Sequence, residues 1–320
     1  MTIFTNLPPI LISFLFIIGG LIMLVGGGEV LVSGATKLAK RLGMSPLLIG
    51  LTVVAFGTSV PELFVSFTAS IHGYPDIMIG NVVGSNIANI GLILGCCAIF
   101  VPLRLTLRAV RIELFLVITG SILLITAAYF GIFPRTLGII FIITLISYTY
   151  FACSHELSKK KICDIEENTI EVPPSVMICS LLIVGGLILL SFGSNIFIKG
   201  AANAARYFGV SDLIIGLTLA AVGTSLPELA SSLAALRRSE TSLLIGNVIG
   251  SNMFNLFMVL GLTATIHPFD LSSDLLLRDL PVMLFFTVVL VPILSHNQGT
   301  NRIHGILFIS GYIGYCLSLI

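Results

Sequence analysis

The feature that most constrains this chain is an internal repeat with a fixed offset. The segment 57–62 (GTSVPE) recurs at 223–228 (GTSLPE), and the segment 80–86 (GNVVGSN) recurs at 246–252 (GNVIGSN). Both pairs are 166 positions apart, and no gap is needed between them. Two apolar sequences can match Leu with Ile by chance, but not this set of Gly, Pro, Asn and Glu. The chain is therefore expected to contain two equivalent halves.

Composition places both halves in a lipid bilayer. Of the 320 residues, 56% are hydrophobic and only 10% are charged, whereas a soluble domain has roughly 25% charged residues. Apolar stretches of the length of a transmembrane helix recur along the chain. The sequence thus predicts an all-α polytopic membrane protein. Ten transmembrane helices are predicted, near residues 10–35, 46–72, 77–101, 112–130, 136–153, 175–200, 211–236, 243–266, 280–295 and 303–320.

The parity of the spans determines how the two halves lie in the membrane. Residues 1–153 form a first five-helix repeat and residues 175–320 a second, joined by a polar cytoplasmic linker at 154–174. Because five is odd, the second half must enter the membrane in the opposite sense. Inverted repeats of this kind build secondary transporters whose sites lie at the midplane on discontinuous helices. We therefore expect two inverted five-helix repeats with broken helices at the midplane.

The distribution of basic residues predicts the orientation. If the N-terminus lies outside, twelve Lys and Arg fall in cytoplasmic loops and four in external ones, a clear positive-inside bias. Both termini are therefore predicted on the non-cytoplasmic side of the cell membrane. The cytoplasmic set is Lys37, Lys40, Arg41, Arg104, Arg108, Arg111, Lys159, Lys160, Lys161, Arg237, Arg238 and Arg302, and the external set is Arg135, Lys199, Arg206 and Arg278.

The first repeated motif puts a carboxylate near the middle of a span, at Glu62 and at Glu228. The preceding proline removes a helical hydrogen bond and is expected to leave the carbonyl of Gly57 or Gly223 bare. Irregular backbone at this depth is tolerated only inside protein or along a cavity, and a charge there costs at least about 2.5–3.5 kcal/mol on insertion scales. Since no predicted span carries a Lys or Arg at this depth, the expected compensating partner is a bound cation or a proton.

The third and eighth spans add a polar stripe. Residues spaced by four lie along one helical face, and each stripe offers amide and hydroxyl oxygens. An all-oxygen set suits hard cations such as Ca²⁺ and Na⁺, and two carboxylates balance one divalent ion. The stripes are Asn81, Ser85 and Asn89 in the third span and Asn247, Ser251 and Asn255 in the eighth.

The paired motifs resemble the α-repeats of the calcium/cation antiporter superfamily, the sodium/calcium exchangers. The resemblance covers essentially all ten spans, and the lack of long cytoplasmic calcium-binding domains is similar to the compact prokaryotic members. It implies alternating access, with Na⁺ or H⁺ driving Ca²⁺ across the membrane and no permanently bound cofactor. Carried over motif by motif, it implies an ion site formed by Glu62, Glu228, Ser59, Ser225, Thr58, Thr224, Asn89, Asn255, Ser85, Ser251 and the carbonyls near Ala55 and Ala221.

One departure from the family leaves the driving ion open. Some exchangers have Asp at the position of Asn255, whereas both halves here carry Asn, so the central charge is −2 and not −3. Export of Ca²⁺ in exchange for Na⁺ is the leading hypothesis. The alternative is Ca²⁺/H⁺ exchange, in which Glu62 and Glu228 themselves take up protons.

Other functional classes of membrane protein fit the sequence less well. A cation channel can also use acidic residues, but an inverted pair of broken helices favours alternating access. The five histidines fall in or near loops, which speaks against an intramembrane hydrolase. The expected partners are small cations and the lipid bilayer, with no nucleic acid, and a monomer is sufficient for the site. The glycine-rich helices near 10–35 and 175–200 are expected to slide or tilt during alternating access.

Overall fold

The computed structural model describes residues 8–104, 106–163, 174–210, 223–271, 275–296 and 299–319, which are almost entirely helical. Several helices contain a short π-helical turn and continue through it without interruption. In chain order the helices are α1 (Pro9–Leu42), α2 (Pro46–Thr58), α3 (Val60–Ile71), α4 (Pro75–Phe100), α5 (Leu107–Tyr129), α6 (Arg135–Cys163), α7 (Val176–Tyr207), α8 (Leu226–Arg237), α9 (Thr241–Ile266), α10 (Leu275–His296) and α11 (Arg302–Ser318).

The prediction of a multi-pass helical membrane protein is confirmed. Within the described ranges, seven helices are long and apolar enough to cross a bilayer, and the bent pair α2–α3 makes an eighth span. Helices α8 and α11 are shorter and overlap the predicted seventh and tenth spans. The first part of the predicted seventh span, 211–222, lies outside the described residues. The count of ten therefore remains a prediction.

Helix ends extend past several predicted boundaries. Helix α1 continues to Leu42, beyond the predicted residue 35, and stops where Gly43 adopts a left-handed conformation with φ of 65°. Helix α7 continues to Tyr207, and α6 runs to Cys163, so the predicted linker at 154–174 begins as helix. Hydropathy marks only the part of a helix that lies in lipid, whereas backbone hydrogen bonding continues until a residue such as Gly43 ends it.

The two halves interlock. Helix α6, the last helix of the first half, packs against α9 of the second half, and α11, the last helix of the second half, packs against α4 of the first. Helices α1 and α7 form a long antiparallel pair whose glycines allow close approach: a Cβ on Gly186 would meet the backbone of Leu31. Each half therefore completes the core of the other.

Two very short strand pairs also join the halves. Strand β1 (Leu103–Arg104) pairs with β4 (Gly299–Thr300), and β2 (Ile132–Phe133) pairs with β3 (Phe269–Asp270), both antiparallel. Each pair takes one strand from each half, in the loops that connect core helices. These pairs were not predicted, because two-residue strands carry no periodic signal.

Candidate cation-binding site

The expected helix break is present at the first repeated motif. Helices α2 and α3 meet at Ser59 with a bend of 41°. Ser59 has φ −83° and ψ −1°, and Ser225 before α8 has nearly the same values, −85° and 1°. Pro61 and Pro227 then occupy the first turn of the following helix, where a missing N–H breaks no hydrogen bond. The two motifs thus share one backbone conformation.

Each of the two motifs leads directly to a buried carboxylate. Glu62 and Glu228 lie in the first turns of α3 and α8, are almost completely buried, and are close enough to interact electrostatically. A helix N-terminus favours a negative charge. None of their four carboxylate oxygens has a hydrogen-bond partner among the described residues, and no Lys or Arg belongs to the buried set of that part of the chain. Two neighbouring buried acids without a positive partner need bound cations or protons.

Reciprocal hydrogen bonds between the halves surround these acids. The Thr58 hydroxyl donates to Asn247 Oδ1 (3.3 Å), and the Thr224 hydroxyl donates to Asn81 Oδ1 (3.1 Å). The two bonds are related by the 166-residue offset. Thr58 also lies beside Glu228, and Thr224 beside Glu62. Asn81 and Asn247 donate in turn to Ser66 and Ser232 (2.9 and 3.3 Å). Asn81 and Asn247 therefore each form hydrogen bonds to residues of other segments.

The serines of both motifs meet in the same region. The Ser225 hydroxyl donates to Ser85 Oγ at 3.3 Å, and the Thr58 and Ser251 hydroxyls lie 3.4 Å apart. The Ser59 hydroxyl has no hydrogen-bond partner within the described ranges, although the residue is fully buried. Four of the predicted hydroxyl ligands thus lie in two close pairs, whereas the Ser59 oxygen is not engaged by any other described residue.

Asn89 and Asn255 begin π-helical turns. The turns span Asn89–Leu94 and Asn255–Leu260, and both asparagines are fully buried. π-Helical turns within α-helices occur frequently at functional sites. Asn89 Oδ1 and both amide atoms of Asn255 have no partner in the part of the chain that the structure describes. No feature of the sequence predicts these turns.

The predicted backbone ligands are less available than the side chains. The Ala55 carbonyl accepts from the Ser59 N–H (3.0 Å) and also lies 3.4 Å from the Thr58 hydroxyl oxygen. Ala221 lies outside the described residues. The Gly223 carbonyl, four residues before Pro227, accepts from the Ser194 hydroxyl of α7 at 2.7 Å. Expecting a bare carbonyl oxygen at Gly223 was therefore wrong, because a neighbouring helix supplies a donor.

The site consists of buried oxygens that lack partners of their own. This donor set is hard and bears two negative charges when both carboxyl groups are ionised, so it fits one Ca²⁺ or two Na⁺ ions better than a transition metal. Buried polar groups are normally hydrogen-bonded, so a cluster of exceptions indicates a ligand site. Among the described residues, the oxygens without a partner here are Ser59 Oγ, both of Glu62, both of Glu228, Asn89 Oδ1 and Asn255 Oδ1.

The structure contains a second pair of buried acidic residues, which the sequence analysis did not predict. Glu113 in α5 and Asp279 in α10 are also 166 positions apart. The Tyr148 hydroxyl donates to Glu113 (2.5 Å), and the Tyr315 hydroxyl donates to Asp279 (3.0 Å). Each tyrosine comes from the last helix of its own half. Applying the offset to every acid, and not only to the motifs, would have found this pair.

Comparisons with known proteins agree on one family. The family profile described as sodium/calcium exchanger protein matches residues 12–154 and 179–320. The CaxA protein of Alkalimonas amylolytica is 35% identical over 95% of this chain and 98% of its own, and the sodium/calcium exchanger MaX1 of Methanosarcina acetivorans is 30% identical over 97% and 99%. A solved structure of the sodium-calcium exchanger NCX_Mj, soaked with 10 mM Na⁺ and zero Ca²⁺, superposes with a TM-score of 0.84 at 32% identity, covering 97% of this chain and 100% of that one.

Proposed function

The chain belongs to the sodium/calcium exchanger family, and on that premise we propose that it is a secondary antiporter exporting Ca²⁺ in exchange for Na⁺ by alternating access. The observation that carries this proposal is the buried pair Glu62 and Glu228, which has no positive partner among the described residues. One Ca²⁺ or two Na⁺ neutralise the same pair. Competition between the two ions for one pair of carboxylates is the basis for exchange.

Unequal coverage of repeat-related helices supports alternating access. Helix α1 packs directly on α8, where a Cβ on Gly28 would meet the Ala230 carbonyl. Helix α3 is the counterpart of α8, yet Val65 is 42% exposed whereas the equivalent Ser231 is 2% exposed. In a molecule with exact two-fold symmetry, neighbouring helices would cover α3 and α8 to the same extent. The inequality is what a two-state transporter shows when one side is closed.

An ion pair joins α1 to the end of α8 on the side of the molecule where α1 covers α8. Glu29 of α1 accepts from Arg238 Nε (2.7 Å) and lies 3.4 Å from Arg237 Nη1, both at the end of α8. The repeat-related residue, Asn195, donates instead to Ser191 O of its own helix. Since the positive-inside bias assigns Arg237 and Arg238 to the cytoplasm, we assign the closed side to the cytoplasm and the more open side to the exterior.

The remaining assignments follow from the same topology. The protein would lie in the cell membrane with both termini on the non-cytoplasmic side. Ca²⁺ and Na⁺ are substrates and not resident cofactors. One chain carries both Glu62 and Glu228, so a monomer is sufficient for the site. Ca²⁺/H⁺ exchange remains the second candidate, because the amide of Asn255 stands where a further acid would favour additional positive charge.

Tracer flux in reconstituted vesicles tests the proposal. The purified protein is placed in vesicles loaded with Na⁺, and ⁴⁵Ca²⁺ uptake is followed at equal pH on both sides. We expect an outward Na⁺ gradient to drive uptake and its collapse to stop it. Uptake that ignores Na⁺ and follows a proton gradient would contradict Na⁺ coupling. Unlabelled Ca²⁺ trapped inside should accelerate tracer entry, which a channel does not do.

A further inference from the structure

We propose that Asn252 is a positioning residue for ion binding: it holds the Asn89 amide so that the amide oxygen, and not the nitrogen, faces the transported cation. The proposal rests on the proposed function and adds a determinant of cation affinity to it. Asn252 closes the second repeated motif and was given no role by the sequence.

The need for such a residue follows from the chemistry of an amide. An asparagine side chain carries one acceptor oxygen and one NH₂ donor of nearly the same size. Only the oxygen can coordinate a cation. If the amide of Asn89 turned over, it would present two N–H groups to a positive ion and repel it. A ligand asparagine is therefore effective only when something fixes which way round it lies.

A chain of hydrogen bonds fixes Asn89, starting from a group whose polarity is certain. The backbone carbonyl of Asn86 can only accept, and Asn252 Nδ2 donates to it at 3.4 Å. The Asn252 oxygen must then point the other way, where it accepts from Asn89 Nδ2 at 2.9 Å. With its nitrogen engaged, Asn89 directs Oδ1 away from this contact, and this atom has no partner within the described ranges.

Burial makes this chain of bonds decisive. Asn86, Asn89 and Asn252 are each at most 2% exposed, so bulk water does not compete for their donors and acceptors. The bond between Asn252 and Asn89 also crosses from α9 to α4. The orientation of a ligand in the first half is thus set by a side chain of the second half.

The repeat-related contacts do not form in the same way. Asn86 is the counterpart of Asn252, and Asn255 is the counterpart of Asn89. Asn86 Nδ2 is directed at the sulfur of Met283, 3.7 Å away, and neither amide atom of Asn255 has a partner in the described part of the chain. The site therefore holds one amide of fixed polarity, and a second that can offer its oxygen to a cation or its N–H groups to a carboxylate.

The test compares two repeat-related substitutions of equal chemistry. Asn252→Leu keeps the approximate volume and removes both hydrogen bonds, so Ca²⁺ should bind roughly three- to tenfold more weakly, as loss of about one net hydrogen bond implies. The KM for Ca²⁺ should rise by the same factor, with kcat little changed. Asn86→Leu is the matched control and should leave KM within about twofold. Should Asn252→Leu fail to fold, Asn252→Ala removes the same bonds.

A double-mutant cycle separates positioning from general structure. If Asn252 acts through Asn89, then Asn252→Leu should weaken Ca²⁺ binding no further in an Asn89→Ala background. Fully additive losses would overturn the proposal, as would equal losses from Asn86→Leu and Asn252→Leu. Ca²⁺ binding is read from the concentration that half-maximally raises the Tm of the purified protein, so the cycle is decided even if Na⁺ drives no flux and the proposed function fails.

Discussion

Replacing Glu228 by Gln should weaken Ca²⁺ binding by on the order of a hundredfold to several thousandfold. The substitution keeps the shape of the side chain and removes one of the two negative charges of the site. Two unit charges 4 Å apart interact by about 4 kcal/mol at an effective dielectric of 20, and a divalent ion roughly doubles this. Desolvation of both partners offsets part of the attraction, and breaking a buried charge pair costs about 3–5 kcal/mol in practice. At about 1.4 kcal/mol per tenfold change, this gives the stated range.

The measurement is Ca²⁺ affinity of the purified variant by calorimetry, together with ⁴⁵Ca²⁺ uptake in vesicles. Uptake should be lost while the protein still inserts and purifies as a folded species. Glu113→Gln is the matched control, because it also removes a buried acid but one that pairs with Tyr148 outside the site. Its Ca²⁺ affinity should stay within about twofold of the parent. A Glu228→Gln variant that binds Ca²⁺ within tenfold of the parent would refute the assignment of the carboxylate pair.

Three further predictions concern other parts of the structure. Asn255→Asp adds a third acid and should raise Ca²⁺ affinity by about tenfold or more, since charge-assisted contacts exceed neutral ones; an unchanged titration would show that Asn255 does not face the ion. Glu29→Gln removes the contact with Arg238, and because exposed ion pairs contribute about 0.2–1 kcal/mol, the cytoplasm-open state should gain up to about fivefold in population. The population of the cytoplasm-open state is measured by labelling a cysteine introduced on the face of α8 that α1 covers. Equal labelling of parent and variant counts against the assignment of the closed side to the cytoplasm. Gly246→Ala should lower the Tm by forcing α9 away from the backbone of α2, at a cost of about 1–3 kcal/mol, whereas Gly185→Ala, at a position with open space, should leave it unchanged or higher.

Much of the fold could be predicted because it depends on signals that are local in sequence. A bilayer requires long apolar helices, and the repeat indicates which of them are equivalent. Helix ends could not be placed in this way: α1 ends at Leu42 because Gly43 turns left-handed, not because the apolar run stops. Hydropathy contains no information on hydrogen bonding beyond the lipid.

In the candidate site, too, some features could be predicted from local sequence signals and others depend on contacts between helices. The repeat and the family resemblance together predicted a set of ligand side chains, and the two threonines of the first motif lie beside Glu62 and Glu228. Which oxygens remain available could not be predicted. The Gly223 carbonyl is engaged by Ser194, a residue 29 positions earlier on a different helix. Contacts of this kind depend on how two helices face each other, which no local pattern reports. The π-helical turn at Asn89 depends likewise on packing with neighbouring helices and not on local propensity.

The exchange of helices between the halves has a consequence for biosynthesis. Helix α6 is complete at Cys163, but its packing partner α9 begins only at Thr241. At roughly 5–20 residues per second, the ribosome needs on the order of ten seconds to make the missing partner. During that time α6 must remain stable in lipid by itself, in keeping with membrane proteins that insert helices first and associate them afterwards. The first half therefore cannot mature as an independent unit, and truncation after residue 163 should yield an inserted but loosely packed species that quality-control proteases degrade.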